Sequence, residues 1–390
     1  MSDLITDTMP DLSRRSWLKL AGVGAGAAGL SLLSGCSQAT ADTETAAVAP
    51  EPDPNAIAIM SSNENPFGPS PMAMEAMRAE VGNIYRYTGP ILEQFGRQIA
   101  EREGVAPEQV LITNGSTPLL AAFAQWVYMN DLTLLTSAVT YEGVPRVSEA
   151  YGTEVIYTPL DADMGYDMAA IEAQVAPGTA VYLCNPNNPT GRTIDPVVLD
   201  AFVDSVSSRG IPVFVDEAYL DISEDYPAGV MSKYVEMGRP VVVARTFSKL
   251  YAMAGQRIGY ALMPPEMAMA MRGYGHLSNV NHLGIVGAMA ALDDTAYFEE
   301  MRAKNTAGRN RLVAMAADLG RPIAPSPQGS FIYMDTGMSN ADFARQMLER
   351  GVRVVGNRWT DLPQWTRICV GLDHEIDKCH AAAADILTAI

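Results

Sequence analysis

Ala244-Arg245-Thr246-Phe247-Ser248-Lys249-Leu250, with Asp216-Glu217-Ala218-Tyr219 before it and Gly255-Gln256-Arg257-Ile258-Gly259 after it, decides how this chain is read. The apolar run Ile211-Pro212-Val213-Phe214-Val215 leads into Asp216, and a second, Pro240 to Ala244, leads toward Lys249. Short apolar runs between helical patterns are expected of strands buried on both faces of a sheet. Five more have this character: Val110 to Ile112, Leu132 to Thr136, Glu154 to Tyr157, Ala180 to Leu183 and Ile258 to Met263. The alternation predicts an α/β fold with a mostly parallel seven-stranded sheet. Asn188, Asp216 and Lys249 then fall just past strand ends, where ligands of such sheets collect.

The residue types at these positions answer the separate needs of pyridoxal 5'-phosphate (PLP). Lys249 would hold the aldehyde as a Schiff base, provided that desolvation and a nearby cation keep its amine from being a surface ammonium. Asp216 would sit beside the ring nitrogen, keeping it protonated and the ring an electron sink. Tyr219 and Asn188 would hydrogen-bond the ring's 3-oxygen, and Tyr141 would stack on its face. Arg257 and Ser248 would bind the phosphate, helped by amides of Gly115-Ser116-Thr117, where a strand-like run meets a helix N-terminus with Pro118 in its first turn. Taken singly, each motif is common by chance: a Ser-Lys pair in a solvated loop, an Asp-Glu after a strand as a turn or cap. Together and in this order they point to one cofactor.

From about Met60 to the C-terminus the chain resembles the fold-type I PLP-dependent aminotransferases of class I/II, and within them the histidinol-phosphate aminotransferase branch. The motifs are Asn63-Glu64-Asn65-Pro66-Phe67-Gly68, Tyr85-Arg86-Tyr87, Asn114-Gly115-Ser116, Asn185-Pro186-Asn187-Asn188-Pro189-Thr190-Gly191, Asp216-Glu217-Ala218-Tyr219, Ser248-Lys249, Arg257 and Thr366-Arg367-Ile368. The resemblance implies a PLP-dependent transferase fold, aspartate aminotransferase-like, whose large domain is joined to a small C-terminal α+β domain. It implies that Arg367 receives the substrate's α-carboxylate as a bidentate pair, a task for Arg rather than Lys. It implies that Tyr87 reaches the cofactor phosphate of a neighbouring subunit, so that the active unit is a homodimer. The domain bounds expected are 1–36 for an export signal, 37–56 for a linker, 57–295 for the N-terminal arm and large domain, and 296–390 for the small domain.

Three departures bear on the substrate pocket. In the branch, the strand matching Gly351-Val352-Arg353-Val354-Val355 usually ends in an arginine that helps bind the substrate phosphate, and here that position is Val355. The Pro-Tyr segment that closes over substrate in the branch has no counterpart before Asn63, and Ser330 stands where Asn is common. Histidinol phosphate is therefore not the expected substrate. Arg358 lies close enough in sequence to substitute at the substrate, although beside Trp359 it also reads as a surface arginine stacked on an aromatic.

The N-terminus reads as an address. Ser13-Arg14-Arg15-Ser16-Trp17-Leu18-Lys19 resembles a twin-arginine export motif, Leu20 to Leu33 is mildly apolar, and Leu33-Ser34-Gly35-Cys36 resembles a lipobox whose cysteine is acylated. The apolar stretch is too short for an ordinary span. Gly22-x-Gly24 is no dinucleotide loop, because no strand precedes it. Ser37 to about Asn55 is rich in Ala, Thr, Glu and Pro and reads as a spacer. The expectation is a periplasmic or membrane-anchored protein, tethered only through lipid at Cys36.

The net charge of -18 argues against nucleic acid and against adhesion to anionic lipid. Apart from Cys36, Cys184 and Cys369 lie in strand-like runs and Cys379 in a helix pattern, and three thiols cannot complete a disulfide framework. They read as buried thiols. His276, His282, His374 and His380 show no metal-ligand spacing, so no metal is expected. A long helix from Tyr297 to Leu319 leads to strand-like runs at Phe331 to Met334, Val352 to Val355 and Arg367 to Val370. The expected activity is ping-pong transfer of an amino group between an amino acid or amine and a 2-oxo acid. A PLP-dependent decarboxylase or lyase on the same scaffold, and an exported PLP-binding lipoprotein without turnover, are the alternatives.

Overall fold

Residues 56–275 and 277–388 are described by a computed structural model. The export motif, Cys36, the spacer up to residue 55 and His276 lie outside the described residues. Strand β1 (Ala58–Ile59) opens the described chain, followed by β2 (Val110–Thr113), β3 (Thr133–Ser137), β4 (Val155–Thr158), β5 (Thr179–Cys184), β6 (Val213–Asp216), β7 (Val241–Thr246) and β8 (Gly259–Leu262). Strands β2 to β8 form one sheet in the order β2-β8-β7-β6-β5-β3-β4, with β8 antiparallel to both neighbours and the other pairings parallel. All seven expected runs are strands of this sheet, each within a residue or two of its expected bounds.

Alternate side chains of one strand go to opposite faces, and here both faces are covered. Val213, Val215, Val241 and Val243 join one core with Phe95, Ile99, Leu199, Phe202 and Ile285. Phe214, Val242, Ala244, Tyr182 and Ala180 join the other with Leu119, Leu120, Phe123, Val127 and Met267. The result is a helix-sheet-helix sandwich. At roughly 1.5–3 kcal/mol per fully buried aliphatic or aromatic side chain, these continuous apolar strands supply much of the folding drive. Helix starts are encoded locally: Asp195 caps Pro196–Ser208 by accepting from Val197 and Val198 N–H, with proline at the first helical position.

Beyond the helix Thr295–Asp318, β9 (Phe331–Asp335) pairs antiparallel with β11 (Trp365–Cys369). Phe331, Ile332, Met334, Phe343, Met347, Ile376, Cys379 and Ile386 form the core of the C-terminal domain. One expectation is corrected. The run Val352 to Val355 is a strand only over β10 (Val352–Arg353), which pairs in parallel with β1. Ala58 and Met60 thereby enter the C-terminal core, so the start of the described chain is tied down there. Cys184, Cys369 and Cys379 are free and buried, as their patterns indicated.

Candidate active site

The parallel register sets Cys184 opposite Asp216 and Asp216 opposite Ala244, so that β5, β6 and β7 end at one edge. A cleft of about 510 Å³ opens there. Of the twelve residues expected at the site, eleven line it: Ser116, Thr117, Tyr141, Asn188, Asp216, Tyr219, Ser248, Lys249, Arg257, Arg358 and Arg367. Tyr87 is absent from it and stands fully exposed after the short turn Val81–Asn83. Sequence reading missed Ser61, Ser62 and Asn63, which line the cleft from the segment after β1. The motif Asn63-Glu64-Asn65-Pro66 marked family likeness but carried no local sign of where it would fold.

Lys249 follows the end of β7. Its Nζ donates to Ser62 O at 3.1 Å and lies 5.6 Å from the centre of the Tyr219 ring. Burial, with the Arg367 guanidinium nearby, lowers its amine to about 8, so a useful fraction is neutral near physiological pH. Asp216 ends β6. Its Oδ2 accepts from Tyr182 OH and its Oδ1 from Ala218 N–H, both at 3.2 Å, yet burial pushes its carboxyl up to about 6. A buried carboxylate at the cleft with so little compensation fits a cationic ring nitrogen.

One part of the cleft wall is a backbone cradle. The helix Ser116–Met129 has Gly115 at its N-cap with no side-chain cap, which leaves its first N–H groups for an anion. Gly115 has φ +81°, and a Cβ there would fall 2.2 Å from Arg257 Nη2. Only glycine lets the arginine reach the cradle. Arg257 Nη1 donates to Ser248 Oγ at 3.4 Å and to Ala254 O at 2.8 Å. The donor set, the uncapped helix start and the buried carboxylate fit PLP.

Arg367 on β11, also in the cleft wall, is 3% exposed; its Nη1 donates to Asn188 Oδ1 at 2.6 Å and its Nη2 to Ser61 O at 2.5 Å. Its Nε is buried without a partner. Arg358 is part-exposed, donates to Glu142 Oε2 at 3.3 Å and lies 4.8 Å from the Trp359 ring centre. It thus stacks on the aromatic, and also lines the cleft. Val355 is buried against Val139, Ala324, Tyr333 and Trp359.

Fold and cleft together define a PLP-dependent enzyme of the aspartate aminotransferase-like fold. Residues 56–384 match the aminotransferase class I and II family, and the chain belongs to that family. It is a PLP-dependent aminotransferase, of a family that works on amino acids and their 2-oxo acids. It is 34% identical over 331 residues to histidinol-phosphate aminotransferase 2 of Pseudomonas fluorescens, covering 84% of this chain and 88% of that protein. The crystal structure of histidinol-phosphate aminotransferase from Sinorhizobium meliloti in complex with pyridoxal-5'-phosphate is 28% identical, with TM-score 0.75, over 86% of this chain and 91% of that one. Aspartate aminotransferase from Thermus thermophilus shares the fold at TM-score 0.73 and 22% identity, over 85% of this chain and 92% of that one.

Proposed function

We propose a ping-pong aminotransferase in which an amino acid leaves as its 2-oxo acid before a second oxo acid enters the same cleft. The observation that carries this reading is one cleft holding a partly neutral, half-buried lysine, a buried carboxylate and the Arg367 guanidinium. PLP supplies an aldehyde carbon that takes the amino group and a ring that withdraws charge from the substrate Cα. Asp216 would keep the ring nitrogen protonated, and the Gly115 to Thr117 amides, Ser248 and Arg257 would hold the phosphate. Arg367 fixes the α-carboxylate, placing the Cα–H within reach of Lys249. Lys249 Nζ takes the Cα proton as general base and returns a proton as general acid. Tyr141 covers the ring face.

Tyr87, exposed and outside the lining of its own cleft, fits a role in the cleft of a second copy, and a homodimer follows from that reading. The amino donor is not histidinol phosphate: the position that supplies a phosphate-binding arginine in that branch is a buried valine. Arg358 then meets the distal group of the substrate. The purified chain beginning at residue 37 is to be screened with amino donors against 2-oxoglutarate and pyruvate, following the change in visible absorbance. Arg358→Ala is expected to raise KM by about tenfold, the worth of one charge-assisted hydrogen bond, with kcat nearly unchanged. An unchanged KM for every substrate would return Arg358 to the surface, and histidinol phosphate as the best donor would overturn the weight placed on Val355.

We also infer export by the twin-arginine route with acylation at Cys36, supported by Arg14-Arg15 and Leu33-Ser34-Gly35-Cys36. A protein that needs a cytoplasmic cofactor is best loaded there and exported folded. Cell fractionation is expected to leave an Arg14→Lys/Arg15→Lys variant in the cytoplasm. Labelled fatty acid should enter the parent and not Cys36→Ala. Label in Cys36→Ala would remove the lipid anchor from the proposal.

A further inference from the structure

The Tyr219 hydroxyl can donate one hydrogen bond and accept two. Two side-chain amides converge on it, Asn63 Nδ2 at 2.7 Å and Asn188 Nδ2 at 3.5 Å. Arg367 has no acceptor, so its bond to Asn188 Oδ1 fixes that amide with its NH2 group toward Tyr219. Asn63 is fixed from the other side. Its backbone N–H donates to Cys369 Sγ at 3.2 Å, and the thiol donates back to Asn63 Oδ1 at 2.8 Å. Asn63 Nδ2 is thereby left facing the phenol. With amide donors on both acceptor positions, the phenol proton is free for an acceptor in the cleft that Tyr219 lines.

Asn63 is 1% exposed and has φ +50°, a left-handed backbone that Asn tolerates better than most residues. Such conformations persist where surrounding contacts hold them, and they gather at functional sites. Here the contacts are Cys369 and Tyr219, both more than a hundred residues away in sequence.

We propose that Asn63, locked by Cys369, is a positioning residue that makes the Tyr219 hydroxyl a hydrogen-bond donor to the 3-oxygen of bound PLP. This rests on the PLP site described above. A donor to that oxygen stabilises the more anionic of the cofactor's protonation forms, which keeps the midpoint of its pH-dependent visible absorbance low. Turning the phenol proton toward residue 63 withdraws that donor.

The test is an absorbance titration of the PLP-loaded protein from about pH 5 to about pH 10. Asn63→Asp puts an acceptor where the donor was, and Asn63→Gly removes the side chain while tolerating the backbone. Both are expected to raise the midpoint by about half a unit or more. Cys369→Ser, which keeps a donor and an acceptor, should titrate near the parent, and Cys369→Val should move with Asn63→Gly. Tyr219→Phe should shift furthest. If Tyr219→Phe shifts while Asn63→Asp and Asn63→Gly do not, the role of Asn63 is overturned and the site reading stands. If Tyr219→Phe itself does not shift, both fall. Should Asn63→Gly fail to fold, Asn63→Asp and Cys369→Val decide the question.

Discussion

Lys249→Ala is expected to lose turnover by roughly 10⁴-fold, the upper end of what a positioned acid–base group contributes, together with the covalent hold on the cofactor. Lys249 is the one lysine lining the cleft, so no other residue there offers an amine for the aldehyde. Arg257, Arg358 and Arg367 also line the cleft, but guanidinium groups do not give up a proton in this range. The Lys249 amine is brought to about 8 by its surroundings. Purified Lys249→Ala should release its cofactor on gel filtration while the parent retains it. Retained turnover with a bound visible chromophore would end the assignment. The pH dependence has a defined sign. Capture of free PLP by apo parent needs the neutral amine, so its rate should rise with pH up to about 8 and then level. An unshifted lysine would continue to accelerate well above that.

Asp216→Asn is expected to cost about 10²–10⁴-fold in turnover, the effect of removing one partner of a buried ion pair, about 3–5 kcal/mol. Its stability signature is separate. Burial raises the folded-state carboxyl from 3.8 to about 6. The folded protein therefore binds the proton more tightly than the unfolded chain. The stability this confers is complete below about 3.8 and is lost as pH rises through about 6. Apo parent should thus weaken relative to apo Asp216→Asn across that window. A cationic ring nitrogen compensates the carboxylate, so PLP should raise the parent's Tm more above pH 6 than below it, and Asp216→Asn should show no such difference. Equal gains at both pH values would place the ring nitrogen elsewhere. Glu217 is also pushed up, to about 7, but pairs with Arg245 at 2.9 Å on the far side of β6. The comparison of variants cancels its contribution.

Much of this was legible in the chain because the signals are local. Val213-Phe214-Val215 and Val241-Val242-Val243 are apolar at every position, which only a sheet covered on both faces accommodates. Asp216 and Lys249 follow such runs, and the parallel register carries both to one edge. Gly115 stood out as a helix start, and its φ of +81° beside Arg257 shows why no side chain fits. Arg358 was open to two readings because a stacked surface arginine and a cleft arginine have the same sequence context; the fold makes it both.

The sequence by itself determined the seven strands, their burial and the residues that meet in the cleft at their ends, since hydrophobic period and strand-end chemistry are written over a few residues. Only the tertiary structure decided that Ala58–Ile59 pairs with Val352–Arg353 rather than the latter lengthening the C-terminal hairpin, and that Asn63 meets Cys369 and Tyr219. These contacts join segments far apart in the chain, whose meeting depends on the paths of everything between them, and no local pattern of residues encodes such a path.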